Sequence, residues 1–474
     1  MQPCGCISSL RLARGGAGRG RFVKGGGCDL AGWGYAGGEC PEGKEVWLMV
    51  DRAWSFAWLT WTAGWVLCAA AGAQVAGTDP AAGKKMAETV LMTWAPGATS
   101  GAGADGAKWR YEEGILLDGM VAEWEVTREQ RYFDYVKASV DVFLDAQGNI
   151  KGYPVDAHSL DNIEMGRAAL FLYRVTKDAK YKRVADFLHA QLKVQPRNAS
   201  GGYWHKQVYP NQMWLDGAYM AEPFRAAYAA EFKANEWGDI AKQLLLMDAK
   251  MRGAKTGLLR HGWDESRTMP WADKKTGLSP EVWARAMGWY AMALVDVLEW
   301  MPAGQNRDAV VGALQRTASA IEVYQDVQSG LWWDVLGHRT SQYGLLDSGW
   351  RGRDPKAWAG LREREKAGVD ANYLEASASC MFVYALEKGV RKGWLAKRYE
   401  GVARRGWDGV NREFIKAAGD GVSLTGVVAV SGLGGSPYRS GTYEYYVREK
   451  VVADDPKGVG AYLLAASEME RARK

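Results

Sequence analysis

The feature that most limits what this chain can fold into is a sixfold alternation of two kinds of helical segment. One kind is amphipathic and charged, at about 82–95, 131–144, 180–192, 236–250, 306–325 and 395–416. After each comes a segment richer in Gly, Ala and aromatic residues, at about 114–126, 161–175, 214–231, 284–300, 374–388 and 457–470. Strand signals are scarce, and no Pro/Ser-rich tract or charge block separates one pair from the next. A self-similar unit recurring every few tens of residues marks a repeat architecture, in which each unit buries its apolar face against its neighbours. Six helical hairpins can close on themselves, with the small-residue helices packed together inside and the amphipathic ones shielding them. The expected fold is therefore all-α, an (α/α)6 toroid in one domain over residues 80–474. Its inner-helix starts, and the loops before them, should meet at one mouth.

The chain before that pattern differs in kind. Residues 1–48 carry Gly and Arg in quantity and no apolar period, so they are read as an upstream extension that packs no core. From Met49 a short charged start is followed by AWSFAWLTWTAGWVLCAAAGA, which ends in Ala71-Gly72-Ala73. A charged start, an apolar run and an A-x-A site form the pattern of a secretory signal. Residues 49–73 are thus expected to direct export, periplasmic or extracellular, with cleavage near Ala73 and no stable membrane insertion afterwards. Five of the six cysteines precede that point and only Cys380 follows it, which excludes an intramolecular disulfide in the mature chain. The formal net charge of +5 is not gathered into any long basic run, so nucleic acid is not an expected partner.

The densest chemistry lies in YWHKQVYPNQMWLDGAYMAEPF, residues 203–224, bounded inside by Pro210 and Pro223. Trp204, His205, Lys206, Tyr209, Trp214 and Asp216 fall together there. Aromatic faces supply apolar area of fixed geometry on which a sugar ring can stack, while a carboxylate and nearby donors fix its hydroxyls. Asp161 opens the second inner segment and Asp216 the third, and WARAMGW (283–289) opens the fourth, so consecutive hairpins should bring all three to one cleft. Two carboxylates at neighbouring helix starts are usual equipment for sugar chemistry; mutual repulsion and apolar walls such as Met213 and Trp214 would raise the pKa of one of them. A lone Asp at a helix start can equally be an N-cap.

In the loop GLLRHGWDESRTMPW (257–271), His261 reads as a hydrogen-bonding residue at the cleft. Arg285, between Trp283 and Trp289, is the best candidate to grip a substrate carboxylate, through two parallel bonds; its alternative is a pair with Glu281. The five histidines (His158, His189, His205, His261, His338) show no metal-ligand spacing, and neither a metal nor a cofactor is expected. Tyr343 to Trp350, the stretch 373–377 and the tyrosines of 441–446 surround the last two inner segments and read as mostly structural.

The segments LDNIEMGR (160–167), GGYWHKQVYPNQMWLDGAYM (201–220), RHGWDES (260–266), WARAMGWYAMALVDVL (283–298), YLEASAS (373–379), GTYEYY (441–446) and DPKGVGAYLLA (455–465) carry a resemblance. From about residue 85 onward the sequence resembles the unsaturated rhamnogalacturonyl hydrolases of glycoside hydrolase family 105, relatives of the unsaturated glucuronyl hydrolases of family 88. The resemblance implies the six-hairpin toroid and the absence of a metal. It implies Asp216 as general acid/base and Asp161 as its assisting carboxylate. Trp214, His261, Trp283, Arg285 and Trp289 would line the uronate subsite, with His205 and Lys206 beside them. The implied substrate is an unsaturated uronate-containing oligosaccharide left by a polysaccharide lyase, attacked by hydration of its C4=C5 double bond. Ala286-Met287-Gly288 departs from the Gly-Asn-Gly of many relatives, which bears on substrate choice. A carbohydrate-binding protein would keep the aromatic residues and need neither acid, and a sugar epimerase on the same toroid would need a His pair poised at the sugar. An unsaturated glucuronyl hydrolase is the remaining alternative.

Overall fold

The computed structural model describes residues 81–98, 108–337 and 372–473, all within the unit Ala71–Lys474. The upstream extension, the signal-like run, His338 and the stretch 343–350 lie outside the described residues. Outer and inner helices alternate through the first four hairpins: α1 (Ala82–Thr93), α2 (Tyr111–Thr127), α3 (Gln130–Asp141), α4 (Gly166–Thr176), α5 (Ala179–Lys193), α6 (Asp216–Phe232), α7 (Trp237–Met251) and α8 (Ala284–Trp300). The alternation continues with α9 (Gln305–Val323), α10 (Ala376–Arg391), α11 (Arg398–Glu413), the short α12 (Tyr443–Arg448) and α13 (Pro456–Arg471).

Side-chain pattern decides which layer each helix occupies. In α11 the buried residues are Tyr399, Val402, Ala403, Gly406, Trp407, Gly409 and Val410, a stripe at helical spacing, while its arginines face outward. In α8 every residue from Ala284 to Leu298 is buried, as a helix packed on all sides requires. Inner helices neighbour one another in sequence, α2 with α4, α6, α8, α10 and α13, and α13 packs back on α2, so the ring is closed. Closure depends on two glycines. A Cβ at Gly460 would run into the carbonyl oxygen of Ile115, and one at Gly119 would lie 2.9 Å from the carbonyl oxygen of Gly460. Without side chains there, the two backbones approach closely enough to seal the toroid.

The two ends of the ring differ. Inner-to-outer connections are tight: α2, α4 and α6 end at Arg128, Lys177 and Lys233, all left-handed, with φ of 60°, 58° and 56°. The longer outer-to-inner connections are stitched together at the opposite end. Leu160 N–H donates to the His205 carbonyl at 3.0 Å. Strand β1 (Gln212–Trp214) pairs antiparallel with β2 (Gly262–Asp264), and β3 (Val282–Trp283) with β4 (Val335–Leu336). Asp334 N–H reaches the Tyr373 carbonyl at 2.8 Å, and Ala376 N–H the Gly426 carbonyl at 2.9 Å. A hairpin of β5 (Ile415–Ala418) and β6 (Gly421–Leu424), then β7 (Val427–Val428) paired with β8 (Val451–Val452), completes this collar. Each inner helix thus begins from a segment tied to the next, which fixes the side chains at the mouth.

Two details differ from the sequence reading. The second inner helix begins at Gly166, and Asp161 lies before it in a short 3-10 turn, Leu160–Asn162. The carbonyl of Asn162 accepts from Trp109 Nε1 at 2.8 Å, so it serves a side chain from the preceding connection instead of a helix. Pro223, which bounds the aromatic segment in the sequence, lies inside α6; its ring forgoes the bond to residue 219, which a helix clamped on all sides tolerates. Among the described residues no helix is long and apolar enough to cross a membrane, and the run 53–73 lies outside them.

Candidate active site

The collar sets two carboxylates in different company. Asp161 is held from one side: His205 Nε2 lies 3.1 Å from its Oδ1, and Lys206 Nζ closes on its Oδ2. Burial works to raise the pKa of Asp161, yet the Lys206 ammonium and His205 overcome it and hold the carboxyl well below the usual range. Lys206 rises in turn, chiefly through the Asp161 charge. Asp161 is therefore an ionised, doubly tethered group.

Asp216 is the first residue of α6 and makes no N-capping bond, so the N-cap alternative does not account for it. Its Oδ2 lies 3.1 Å from His261 Nε2, but the two are not aligned as a hydrogen bond, and neither atom has another partner. His261 itself is fully buried and fixed through Nδ1 to the Tyr446 hydroxyl at 2.7 Å. Asp216, with 15% of its side chain exposed, is thus the less committed acid, set beside a ring that cannot move far.

The aromatic residues form a continuous wall around these groups. Trp214 is sandwiched between His205 and Tyr209, each stacked at 4.7 Å, and presents its edge to His261 at 5.5 Å. Trp214 Nε1 donates to Gln212 at 3.1 Å, and Tyr209 is held by Arg439 at 3.0 Å. With Trp271, Ala272 and Leu433 it forms an apolar cluster separate from the main core, as a cleft wall would be. Trp283 continues the wall, 4.9 Å from His261 and stacked 6.1 Å from Tyr446. The Arg285 guanidinium lies over the Trp283 ring at 4.6 Å.

Not every expected lining residue is equally open. Arg285 is 1% exposed, and its amines donate to the carbonyls of Val428 and Ala429 and to Ser377 Oγ, so its fork is not turned to open solvent. Trp289 sits within the inner ring, against Tyr219 at 5.0 Å and Tyr111 at 6.3 Å, away from the His261 group. Asp264 is taken up by its own turn, accepting from Ser266 and Met269. Among the described residues no cluster of three His, Cys, Asp or Glu could hold a metal ion.

The structure adds residues to which the sequence reading assigned no role at the site. Tyr446, the last residue of GTYEYY, is the partner of His261. Tyr111, at the start of α2, has its hydroxyl pKa pushed well up by burial and by the charges of Glu112 and Asp161, with Arg285 opposing. Lys457, of DPKG, is paired to Asp455 at 2.8 Å, and burial pushes its pKa down. Inner-helix starts on opposite sides of the ring therefore contribute to one charged mouth.

A closed ring of helical hairpins whose inner starts carry carboxylates and an aromatic wall is the architecture of the six-hairpin glycosidases. The chain belongs to glycosyl hydrolase family 88, whose model matches residues 84–349 and 363–473. A solved glycoside hydrolase of family 105 from C. acetobutylicum ATCC 824 superposes with a TM-score of 0.72 at 36% identity, over 82% of this chain and 99% of that one. Protein Atu3128 of Agrobacterium fabrum is 37% identical over 219 residues, 45% of this chain and 82% of that protein. The unsaturated rhamnogalacturonyl hydrolase YesR of Bacillus subtilis is 26% identical over 236 residues, 48% of this chain and 64% of YesR. The protein is a glycoside hydrolase related to the unsaturated uronyl hydrolases.

Proposed function

We propose that the protein removes the terminal 4,5-unsaturated uronate from lyase-generated rhamnogalacturonan oligosaccharides, with Asp216 as the acid/base. The observation that carries this reading is the contrast between a tethered, ionised Asp161 and an uncommitted Asp216 beside the buried His261. The C4=C5 bond next to the ring oxygen is a vinyl ether. Protonation at C4 by Asp216 moves the alkene electrons to the new C–H bond and leaves positive charge shared between C5 and the ring oxygen. Water adds at C5 and returns its proton to the Asp216 carboxylate, so the acid is regenerated. The resulting hemiketal opens the ring, and the hemiacetal left at C1 releases the neighbouring sugar. Fixed negative charge at Asp161 stabilises the cation as it forms, which is where preorganised electrostatics act most strongly. Trp214, its faces covered by His205 and Tyr209, forms a rigid cleft wall, His261 stands against Asp216 Oδ2, and Arg285 lends positive charge toward the uronate carboxylate.

The test is loss of the conjugated alkene's ultraviolet absorbance when the protein meets rhamnogalacturonan lyase products. Decay with the native protein and none with Asp216→Asn supports the reading. A flat trace with these products, but decay with lyase products ending in another uronate linkage, would move the substrate and leave the reaction. Export is part of the same proposal; it rests on the pattern at residues 49–73, and N-terminal sequencing of the native protein decides it.

A further inference from the structure

Behind Trp283 lies a carboxyl that the reaction above does not use. Asp334 is completely buried just before β4, with its backbone joined to both flanking inner helices: its carbonyl accepts from Ala284 N–H at 2.8 Å, at the start of α8, and its N–H reaches Tyr373, ahead of α10. Its Oδ1 accepts from Trp283 Nε1 at 3.0 Å. Its Oδ2 is buried without an aligned hydrogen bond. The nearby Glu375 differs: it accepts from Val428 N–H at 3.0 Å, Ala378 N–H at 2.6 Å and Ser377 Oγ, the dense set of donors that suits a carboxylate.

We propose that Asp334 is a positioning residue of the cleft, holding the Trp283 indole between His261 and Arg285, and that it does so as the uncharged acid. An ionised carboxylate with only one aligned donor, Trp283 Nε1, and a second carboxylate close by is unfavourable, whereas a neutral acid still offers the carbonyl-type acceptor that Trp283 Nε1 needs. Burial first, and the Glu375 charge second, push the Asp334 pKa up to about 8; Arg285, Trp283 and Tyr373 oppose that rise. Tyr446 faces it from α12. Ionisation would place new negative charge between Glu375 and the Trp283–Arg285 stack, and draw Arg285 from its carbonyl partners. The kinetic part of this inference rests on the proposed hydration reaction; the charge state and the indole position do not.

The test compares Asp334→Asn and Asp334→Leu with the native protein in the full chain. Asn keeps an acceptor and cannot ionise, so turnover at about pH 6 should stay within about threefold of native, while the alkaline fall caused by Asp334 ionisation disappears. Leu removes the acceptor and should lower turnover on the order of tenfold at every pH. Two readouts need no substrate. Because the folded-state pKa is raised, the native protein loses stability relative to Asp334→Asn as pH climbs from the unfolded value of about 3.9 toward the folded one. The gap in Tm should therefore widen up to about 8 and then level off. In a crystal structure of Asp334→Leu the Trp283 indole should leave its place against His261. A constant Tm gap overturns the uncharged state, and an unmoved indole overturns the positioning role. If the native protein consumes no lyase product, the proposed reaction falls, and these two readouts still decide the inference.

Discussion

The two ends of the inner ring handle charge in opposite ways. At the end away from the mouth, Asp296 receives Arg167 at 2.9 Å, Lys388 at 2.7 Å and the Tyr384 hydroxyl at 2.6 Å. Arg167 also reaches Asp118 at 2.8 Å, and Lys388 reaches Glu299 at 2.7 Å, around a cavity of about 200 Å³. Each charge there is matched by opposite charge, as buried ions require. At the mouth Asp161 is matched in this way, yet Asp216 keeps an oxygen with no aligned partner. The difference separates carboxylates that hold helices together from the one we propose for chemistry. A group that must give up and regain a proton cannot be locked to a permanent cation.

Breaking the uncommitted acid should have the largest effect. Asp216→Asn is expected to lower turnover by about 10²–10⁴, as for loss of a general acid, with the unfolding midpoint little changed. Initial rates from alkene absorbance and a urea titration measure both. Next, Asp296→Ala should destabilise, by up to about 3–5 kcal/mol, because it leaves the buried Arg167 and Lys388 with one carboxylate each, Asp118 and Glu299. The comparison sharpens if turnover per folded molecule is then close to native, and it breaks if stability is unmoved.

Lys206→Met comes third and tests the tethered acid, with turnover falling on the order of tenfold. The depressed pKa of Asp161 means that it stabilises the fold above its unfolded value of about 3.9, and that this stabilisation is lost as pH falls through the lower folded value. Without the Lys206 charge the acid-side loss should begin at higher pH, seen as a Tm that drops earlier on acidification; identical acid profiles would show that Lys206 does not hold Asp161. The smallest effect is expected from Gly217→Ala, whose Cβ would lie 3.1 Å from His205 Nδ1 and 3.0 Å from Leu160 Cδ1. Pressing on His205 should lower turnover about threefold through misplacement of Asp161's partner, and a Tm scan should show little change.

The helical architecture was legible because layer assignment follows local composition: a charged stripe makes an outer helix, and an all-round apolar segment an inner one. The placement of Asp216 at the start of an inner helix, beside Trp214, was legible for a similar reason, since Trp214, Asp216 and Gly217 are close in sequence. Other features depend on ring closure. His261 and Tyr446 are 185 residues apart and meet only when the hairpins complete the toroid. Asp334 carries no signal in the sequence until Trp283, 51 residues away, is brought onto it. The 3-10 turn at Asp161 escaped because its alternative partners, Trp109 and His205, come from other connections. Arg285 was visible as a cation, but its carbonyl partners at 428 and 429 could not be read from its neighbours in sequence.

In the reaction we propose, Asp216 protonates C4 of an alkene and does not assist displacement at the anomeric carbon. A carbon-linked analogue of the unsaturated uronate separates the two directly, because its C1–C bond cannot be cleaved while its vinyl ether can still be hydrated. The account predicts that the native protein bleaches the alkene absorbance of this analogue and that Asp216→Asn does not. Consumption of the oxygen-linked substrate with no change in the carbon-linked one would contradict it.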